Sequence, residues 1–286
     1  MIGVLGARGR IGRQVVSGLA AQGVDAVALV RRDPGSGGVL PEAQADLRSR
    51  DELVETLASF ERLLLLTPHG PDQDLLEANA IAAAKEAGVG GIVKISGTPA
   101  TLGPNGPTST AVSHWRSERL IEEAGFDFVH LRPSFMMQNL LSTLAPVMRE
   151  RGRAISPLAD EQIAMVDARD VAAAAVELLG ADELGGRALA LTGPRAVTHR
   201  EIAAQLGRRL VRIPRPLVSR AVRANTQSEW EAAHVLRMLA FYRSGADGIV
   251  NPDLERITGT RPRSIESFLE EEAAQFSKST QKGNSN

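Results

Sequence analysis

The 286-residue chain contains no cysteine, and that absence excludes disulfides, thiolate nucleophiles and Cys-ligated zinc. Tyrosine occurs once, at Tyr242, within an aromatic content of only 3%, so chemistry that needs a tyrosine in the first half of the chain is excluded as well. There is no surplus of positive charge, with 33 Lys plus Arg against 34 Asp plus Glu. A global attraction to nucleic acid is therefore missing, and no nucleic-acid partner is expected. No apolar run reaches about 18 residues, so no membrane span is predicted. Residues 1–5 (MIGVL) are too short for the apolar stretch of a secretory signal, and the expected location is cytoplasmic. The five histidines, His69, His114, His130, His199 and His234, show no ligand spacing, and no metal is predicted.

What is present is a series of alternating strand and helix signals, the pattern of an α/β doubly wound parallel sheet. Strand-like runs at 2–6, 24–30, 62–68, 91–97 and 126–133 alternate with helix-period segments at 10–22, 50–59, 72–88 and 112–125. A short strand ends near Asp46. LLLLTP (63–68) reads as a strand buried on both faces. The second half is less regular: a strand start and helix over 165–180, a strand over 187–193, a capped helix from Thr198 to 210, and helix over 214–245. Thr198 followed by Glu201 has the form of a capping box. The expected organisation is a doubly wound α/β domain over 1–135 and a smaller α/β region over 136–276, partly contributing to the sheet and supplying the wall for a ligand. A polar, disordered tail over 277–286 completes it.

Gly6, Gly9 and Gly12 form G-A-R-G-R-I-G between the first strand and the first helix. Such a loop turns sharply, lets a pyrophosphate approach the backbone, and aims free helix N–H groups at it. A glycine triplet is weak evidence by itself, but here it has the required strand–loop–helix context. Arg8, Arg10 and Ile11 lie in the same segment and are candidate cofactor contacts. Arg31 and Arg32 follow the second strand, where an acidic residue would bond a ribose 2′-hydroxyl and an arginine a 2′-phosphate. NADP(H) is therefore expected over NAD(H), with Arg31 the principal contact. Ligands of open α/β sheets lie beyond the carboxyl ends of the strands. Asp46 and Leu47 are accordingly placed beside the adenine, and Thr67 and Pro68 beside the nicotinamide ribose.

GARGRIG, Arg31, LLLLTP, IVKISG (92–97), SHWRSERLIEEAG (113–125), LRPSFMMQN (131–139), VDARDVA (166–172), LTGPRAVTHREIA (191–203) and LERITGTRPRSIESFL (254–269) together resemble the NmrA-like, atypical short-chain dehydrogenases/reductases. The resemblance covers about residues 2–276. It implies a Rossmann domain with a small C-terminal substrate region and, usually, NADP(H). Some members reduce quinones, imines or activated double bonds; others sense the cofactor and bind partner proteins. It also implies that Phe135, Met136, Met137 and Asn139 line the substrate pocket; plain core packing is the competing reading of these apolar side chains, and the one expected for Met137.

Many short-chain reductases use a Tyr-x-x-x-Lys pair, in which the lysine eases ionisation of the tyrosine. That dyad is absent: Tyr242 lies far from the expected helix and has no lysine four residues on. The corresponding helix offers His114 and Glu118 at i,i+4 spacing, either as an imidazole oriented by a carboxylate or as a solvent-facing pair. Ser96 stands at the end of the fifth strand, where it would hydrogen-bond a substrate carbonyl. Lys94 shares its face, reaching either the nicotinamide ribose or a neighbouring carboxylate. His114, Ser96 and Lys94 are thus the candidate catalytic residues. The Gly/Pro-rich loop 98–110 has the composition of a lid. The expected function is NADPH-dependent reduction of a small, largely apolar carbonyl, imine, enone or quinone; the alternative is a non-catalytic NADP(H)-sensing regulator. The expected partner is a small-molecule substrate, and a homodimer is compatible with the sequence.

Overall fold

β1 (Ile2–Leu5) is buried at every position and opens a computed structural model that describes residues 1–35 and 38–277. Apart from Ser277, the tail expected to be disordered lies outside the described residues. After β1 come α1 (Arg10–Ala21), β2 (Ala26–Val30), β3 (Glu42–Gln44), α2 (Arg50–Leu57), β4 (Arg62–Leu65), α3 (Gln73–Glu86), β5 (Gly91–Ile95), α4 (Ser109–Glu123) and β6 (Asp127–Pro133). The next elements are α5 (Asn139–Thr143), α6 (Ala145–Arg151), β7 (Ala154–Ser156), α7 (Ala168–Leu179), β8 (Arg187–Leu191), α8 (His199–Gln205) and β9 (Leu210–Arg212). Helices α9 (Arg215–Arg223), α10 (Glu229–Arg243), α11 (Asp253–Thr258), α12 (Ile265–Glu271) and α13 (Ala273–Phe276) follow.

The chain divides into two units. The first holds Met1–Ser134, Ala168–Thr192 and Asn251–Arg261, so the unit that carries the glycine loop is built from three stretches rather than residues 1–135 alone. Its sheet is parallel throughout, in the order β3-β2-β1-β4-β5-β6-β8. The chain winds outward from β1 to β3, then crosses back to place β4 on the other side of β1. That reversal leaves a crevice at the carboxyl ends of β1 and β4, where ligands of such sheets bind. Short side chains let α1 pack closely on α7: a Cβ added at Gly18 would lie 2.8 Å from Val176. The guanidinium of Arg62, at the start of an otherwise apolar strand, donates to the Leu179 carbonyl at 3.1 Å and the Asp182 carbonyl at 3.2 Å. It thereby satisfies carbonyls at and just beyond the α7 C-terminus that have no helical partner.

The second unit holds Phe135–Asp167, Gly193–Val250 and, among the described residues, 262–277. Met137, Leu140, Met148, Ile163, Ile202 and Phe268 are among its core residues, so Met137 packs in the core as expected. Phe135 sets its ring edge-on to Tyr242 at 5.3 Å, Met136 bridges to Val166, and Asn139 begins α5. The strand start expected near 165 is this isolated bridge, not a strand. The helix expected over 214–245 is two, because Ser228 caps a new start by accepting from the Glu231 amide. The Thr198–Glu201 capping box is present at the start of α8, a shorter helix than the pattern suggested.

Candidate active site

The glycine loop connects β1 to α1 at the crevice. Gly6 has φ +75°, a conformation that disfavours side chains, and a Cβ there would lie 2.4 Å from the Leu66 carbonyl oxygen. A Cβ at Gly12 would meet the Gly6 carbonyl oxygen at 2.1 Å, so the loop folds back on the first turn of α1 only because both positions are bare. Gly9 is the N-cap of α1, with no side-chain cap and no acidic residue in the first turn. The helix end therefore keeps its partial positive charge for an anion, and this bare cradle fits a dinucleotide pyrophosphate. Ile11 is buried and anchors the helix in the core, whereas Arg10 is exposed.

Arg31 and Arg32 lie exposed just beyond β2. Arg8 reaches across to the same place, donating to the Asp33 carbonyl at 2.7 Å, the Arg32 carbonyl at 3.2 Å and Glu42 at 2.7 Å. Asp33 adopts φ +50°, unusual outside glycine but tolerated by aspartate. The hydrogen bond from Arg8 holds the Glu42 carboxyl below its ordinary pKa, helped by the Gly35 amide. Asp46 accepts from the Arg48 amide, and the Leu47 carbonyl accepts from Asn79; both follow β3 at the same sheet edge.

Behind the edges of β4 and β5 lies a buried polar network. Lys94 and Ser96 share one face of β5, as the strand period requires. Lys94 is fully buried, its Nζ 2.8 Å from Oε1 of Glu77 on α3, which is also fully buried. Thr67, just past β4, donates to the same oxygen at 2.7 Å, so its side chain turns inward toward α3. Ser117 of α4 donates to the other carboxylate oxygen. His114 Nδ1 is 3.7 Å from Glu77 Oε1, and Gln73 Nε2 is 3.3 Å from each ring nitrogen. The exposed His69 sets its ring edge-on to His114 at 5.6 Å, and Gly97 leaves room for the imidazole. Burial opposes ionisation of Glu77, but Lys94, His114 and Ser117 prevail and hold its pKa at about 2.

Glu118 enters a second cluster. Arg132 of β6 binds it with two donors, Nε to Oε1 at 3.0 Å and Nη2 to Oε2 at 2.5 Å. Burial would raise the Glu118 pKa; Arg132, His130 and the Ser96 hydroxyl more than offset it. Ser96 Oγ is itself buried without a well-formed hydrogen bond. Glu118, Glu122 and His130 bring ligand atoms within 4.8 Å of one another, yet Arg132 and Arg119 already pair with the two carboxylates. Burial keeps His130 neutral, with a pKa of about 4.

Two expectations need correction. His114 and Glu118 are not a solvent-facing pair, and Glu118 does not serve the imidazole as its orienting carboxylate. Both are buried, and the bidentate geometry of Arg132 claims Glu118. Lys94 does not reach the ribose edge of the crevice; its ammonium is sealed against Glu77. Of the two roles open to it, contact with a carboxylate is the one realised. Gln73 and Glu77 were missed, although a signal existed. Both fall in phase with Leu76, Ala80, Ile81 and Ala84 on the buried stripe of α3, where a polar residue needs an internal partner.

An NAD(P)H-binding family model matches residues 6–182. The chain is 33% identical to an NAD(P)H azoreductase of Xenophilus azovorans, over 96% of this chain and 99% of that protein. It is 32% identical, over 96% and 99%, to a (4-alkanoyl-5-oxo-2,5-dihydrofuran-3-yl)methyl phosphate reductase of Streptomyces griseus. Its fold matches an NADPH complex of quinone oxidoreductase QOR2 from Escherichia coli, with TM-score 0.84, 24% identity, and 95% and 99% of the two chains covered. The glycine cradle, the reversal of strand order and these full-length matches agree: the chain belongs to the NAD(P)H-binding family of Rossmann-type reductases, the atypical short-chain group that its motifs resemble.

Proposed function

We propose that the chain is an NADPH-dependent reductase of a small, largely apolar carbonyl, imine, enone or quinone. The carrying observation is that the carboxyl ends of the strands combine a bare glycine cradle after β1 with the end of β5, where His114 packs against Gly97, the residue after Ser96. The names of the relatives, which describe an azoreductase, a reductase of a 5-oxo-dihydrofuran and a quinone oxidoreductase, support an unsaturated acceptor. Bound NADPH supplies the hydride. The protein holds the dinucleotide through Gly6, Gly9 and Gly12, and takes the 2′-phosphate with Arg31 and Arg8. Ser96 offers its hydroxyl to the reducible group, and His114 delivers the proton.

A charge-assisted contact to phosphate contributes about 1.5–3 kcal/mol, so Arg31→Ala should weaken NADPH binding about tenfold or more and leave NADH binding unchanged. Fluorescence titration of both cofactors checks this, and equal effects on the two would remove Arg31 from the phosphate site. His114→Gln should lower kcat by about a hundredfold with NADPH affinity retained. An unchanged kcat rules out His114 as the donor. Anaerobic NADPH oxidation with a panel of quinones, azo dyes and enones tests the reading as a whole. The missing Tyr-x-x-x-Lys dyad favours a second reading, an NADP(H)-sensing regulator, which predicts tight NADPH binding and no oxidation by any of the panel.

A further inference from the structure

An exposed ion pair adds little to stability, so the pair that Arg8 of the glycine loop makes with Glu42, the first residue of β3, calls for another role. The two groups meet side by side: Arg8 Nε lies 3.4 Å from Oε1 of Glu42 and Nη2 lies 2.7 Å from Oε2. That is the two-donor grip a guanidinium gives a carboxylate or a phosphate. The other edge of the guanidinium is taken too, Nη2 donating to the Asp33 carbonyl at 2.7 Å and Nη1 to the Arg32 carbonyl at 3.2 Å. Four of its five N–H donors are thus engaged, leaving one on Nη1. Glu42 is itself pinned, because the Gly35 amide donates to Oε2 at 2.6 Å. Arg31 and Arg32 stand exposed in the same loop. A phosphate monoester brings about two negative charges to a place where the cation of Arg8 is already committed to a carboxylate. It must displace Glu42 or stand beside its charge. NADH has a neutral 2′-hydroxyl there and does neither.

We propose that Glu42 is a specificity-determining residue: it occupies the edge of Arg8 that would grip a 2′-phosphate, and so narrows the preference for NADPH over NADH. The inference rests on the reading that Arg31 and Arg8 receive the 2′-phosphate. Arg31 then supplies most of the discrimination in the wild-type protein, and Arg8 contributes fully only when the carboxylate lets go. The effect has a sign that a purely structural clasp does not share. A clasp that merely held the glycine loop to the loop after β2 would, on removal, loosen both and weaken NADPH binding. A carboxylate that competes with the phosphate for one guanidinium would, on removal, strengthen it.

The test is isothermal titration of NADPH and NADH into the wild-type protein, E42Q, R8M and R8M/E42Q at one fixed ionic strength. Glutamine keeps the length of the side chain and an oxygen for the Gly35 amide, so the charge goes while the loop contact stays. E42Q should bind NADPH about tenfold more tightly and NADH within about twofold of wild type. Arg8→Met should cost about twofold in NADPH affinity while Glu42 holds the guanidinium, and about tenfold once E42Q releases it. Unchanged or weaker NADPH binding by E42Q overturns the proposal. So does an equal cost of R8M in both backgrounds, which would leave simple charge repulsion by Glu42. The underlying reading is judged separately by Arg31→Ala. If that variant weakens both cofactors equally, the 2′-phosphate lies elsewhere and the proposal falls with its premise. If it weakens NADPH alone while E42Q changes nothing, the premise stands and only the role of Glu42 is lost. The titrations need no turnover, so they do not depend on the acceptor.

Discussion

Replacing Gly12 by alanine is expected to weaken NADPH binding by about a hundredfold or more, equivalent to about 2.7 kcal/mol, with little change in secondary structure. The added methyl would stand 2.1 Å from the Gly6 carbonyl oxygen, far inside contact distance. Gly6 cannot yield easily, since its own φ is +75° and the Leu66 carbonyl closes its other side. The clash is backbone against backbone, so no side-chain rotation relieves it. The loop must lift away from α1, and the amides of the first turn lose their alignment on the pyrophosphate. Circular dichroism with isothermal titration checks the result. A folded Gly12→Ala protein that binds NADPH within threefold of wild type would contradict the cradle assignment.

The second large effect is on stability. Lys94→Met leaves Glu77 buried without its cation, and breaking a buried pair in this way costs about 3–5 kcal/mol. For a chain of this size that corresponds to a fall in Tm of about 6–20 °C. The loss should depend on pH in a defined direction. Glu77 has a folded-state pKa of about 2 against an ordinary 4.5, so its contribution is complete above about pH 4.5 and fades as pH falls toward 2. In Lys94→Met burial prevails, the carboxyl takes up a proton more readily, and the gap to wild type narrows on acidification. Thermal melts at pH 7 and pH 4 measure it; a gap that widens at low pH would refute the sign. E77Q/K94M should recover much of the lost stability, because neither charge remains to be desolvated.

The parts of this architecture legible in sequence are those set by local pattern. Period-2 and period-3.6 runs located the first-half elements to within a few residues, and the spacing of Gly6, Gly9 and Gly12 between β1 and α1 identified the cradle. The buried network was harder to see because its members are far apart in sequence: Thr67, Glu77, Lys94 and Ser117 meet only once α3 and α4 pack on β4 and β5. Helical spacing correctly put His114 and Glu118 on one face of α4. It could not show that Arg132, fourteen residues on, would claim the carboxylate. Lys94 in the middle of GIVKI left the ribose and a neighbouring carboxylate both open; that the partner is Glu77 depended on tertiary packing. The second unit was less legible because its short elements alternate with loops. Ser228, which begins a second helix inside an unbroken helical pattern, acts through a single cap hydrogen bond.

The central claim is that the unit carrying the glycine cradle uses NADPH to reduce a small unsaturated acceptor. It is tested most directly by anaerobic turnover of NADPH stereospecifically deuterated at C4 with a quinone, an enone and an azo dye, the products being analysed by mass spectrometry. The account predicts acceptor-dependent oxidation of NADPH from one C4 face. Deuterium should appear in any product whose reduced site does not exchange with water, and His114→Gln should slow the reaction about a hundredfold. Tight NADPH binding with no acceptor-dependent oxidation across the panel would contradict it.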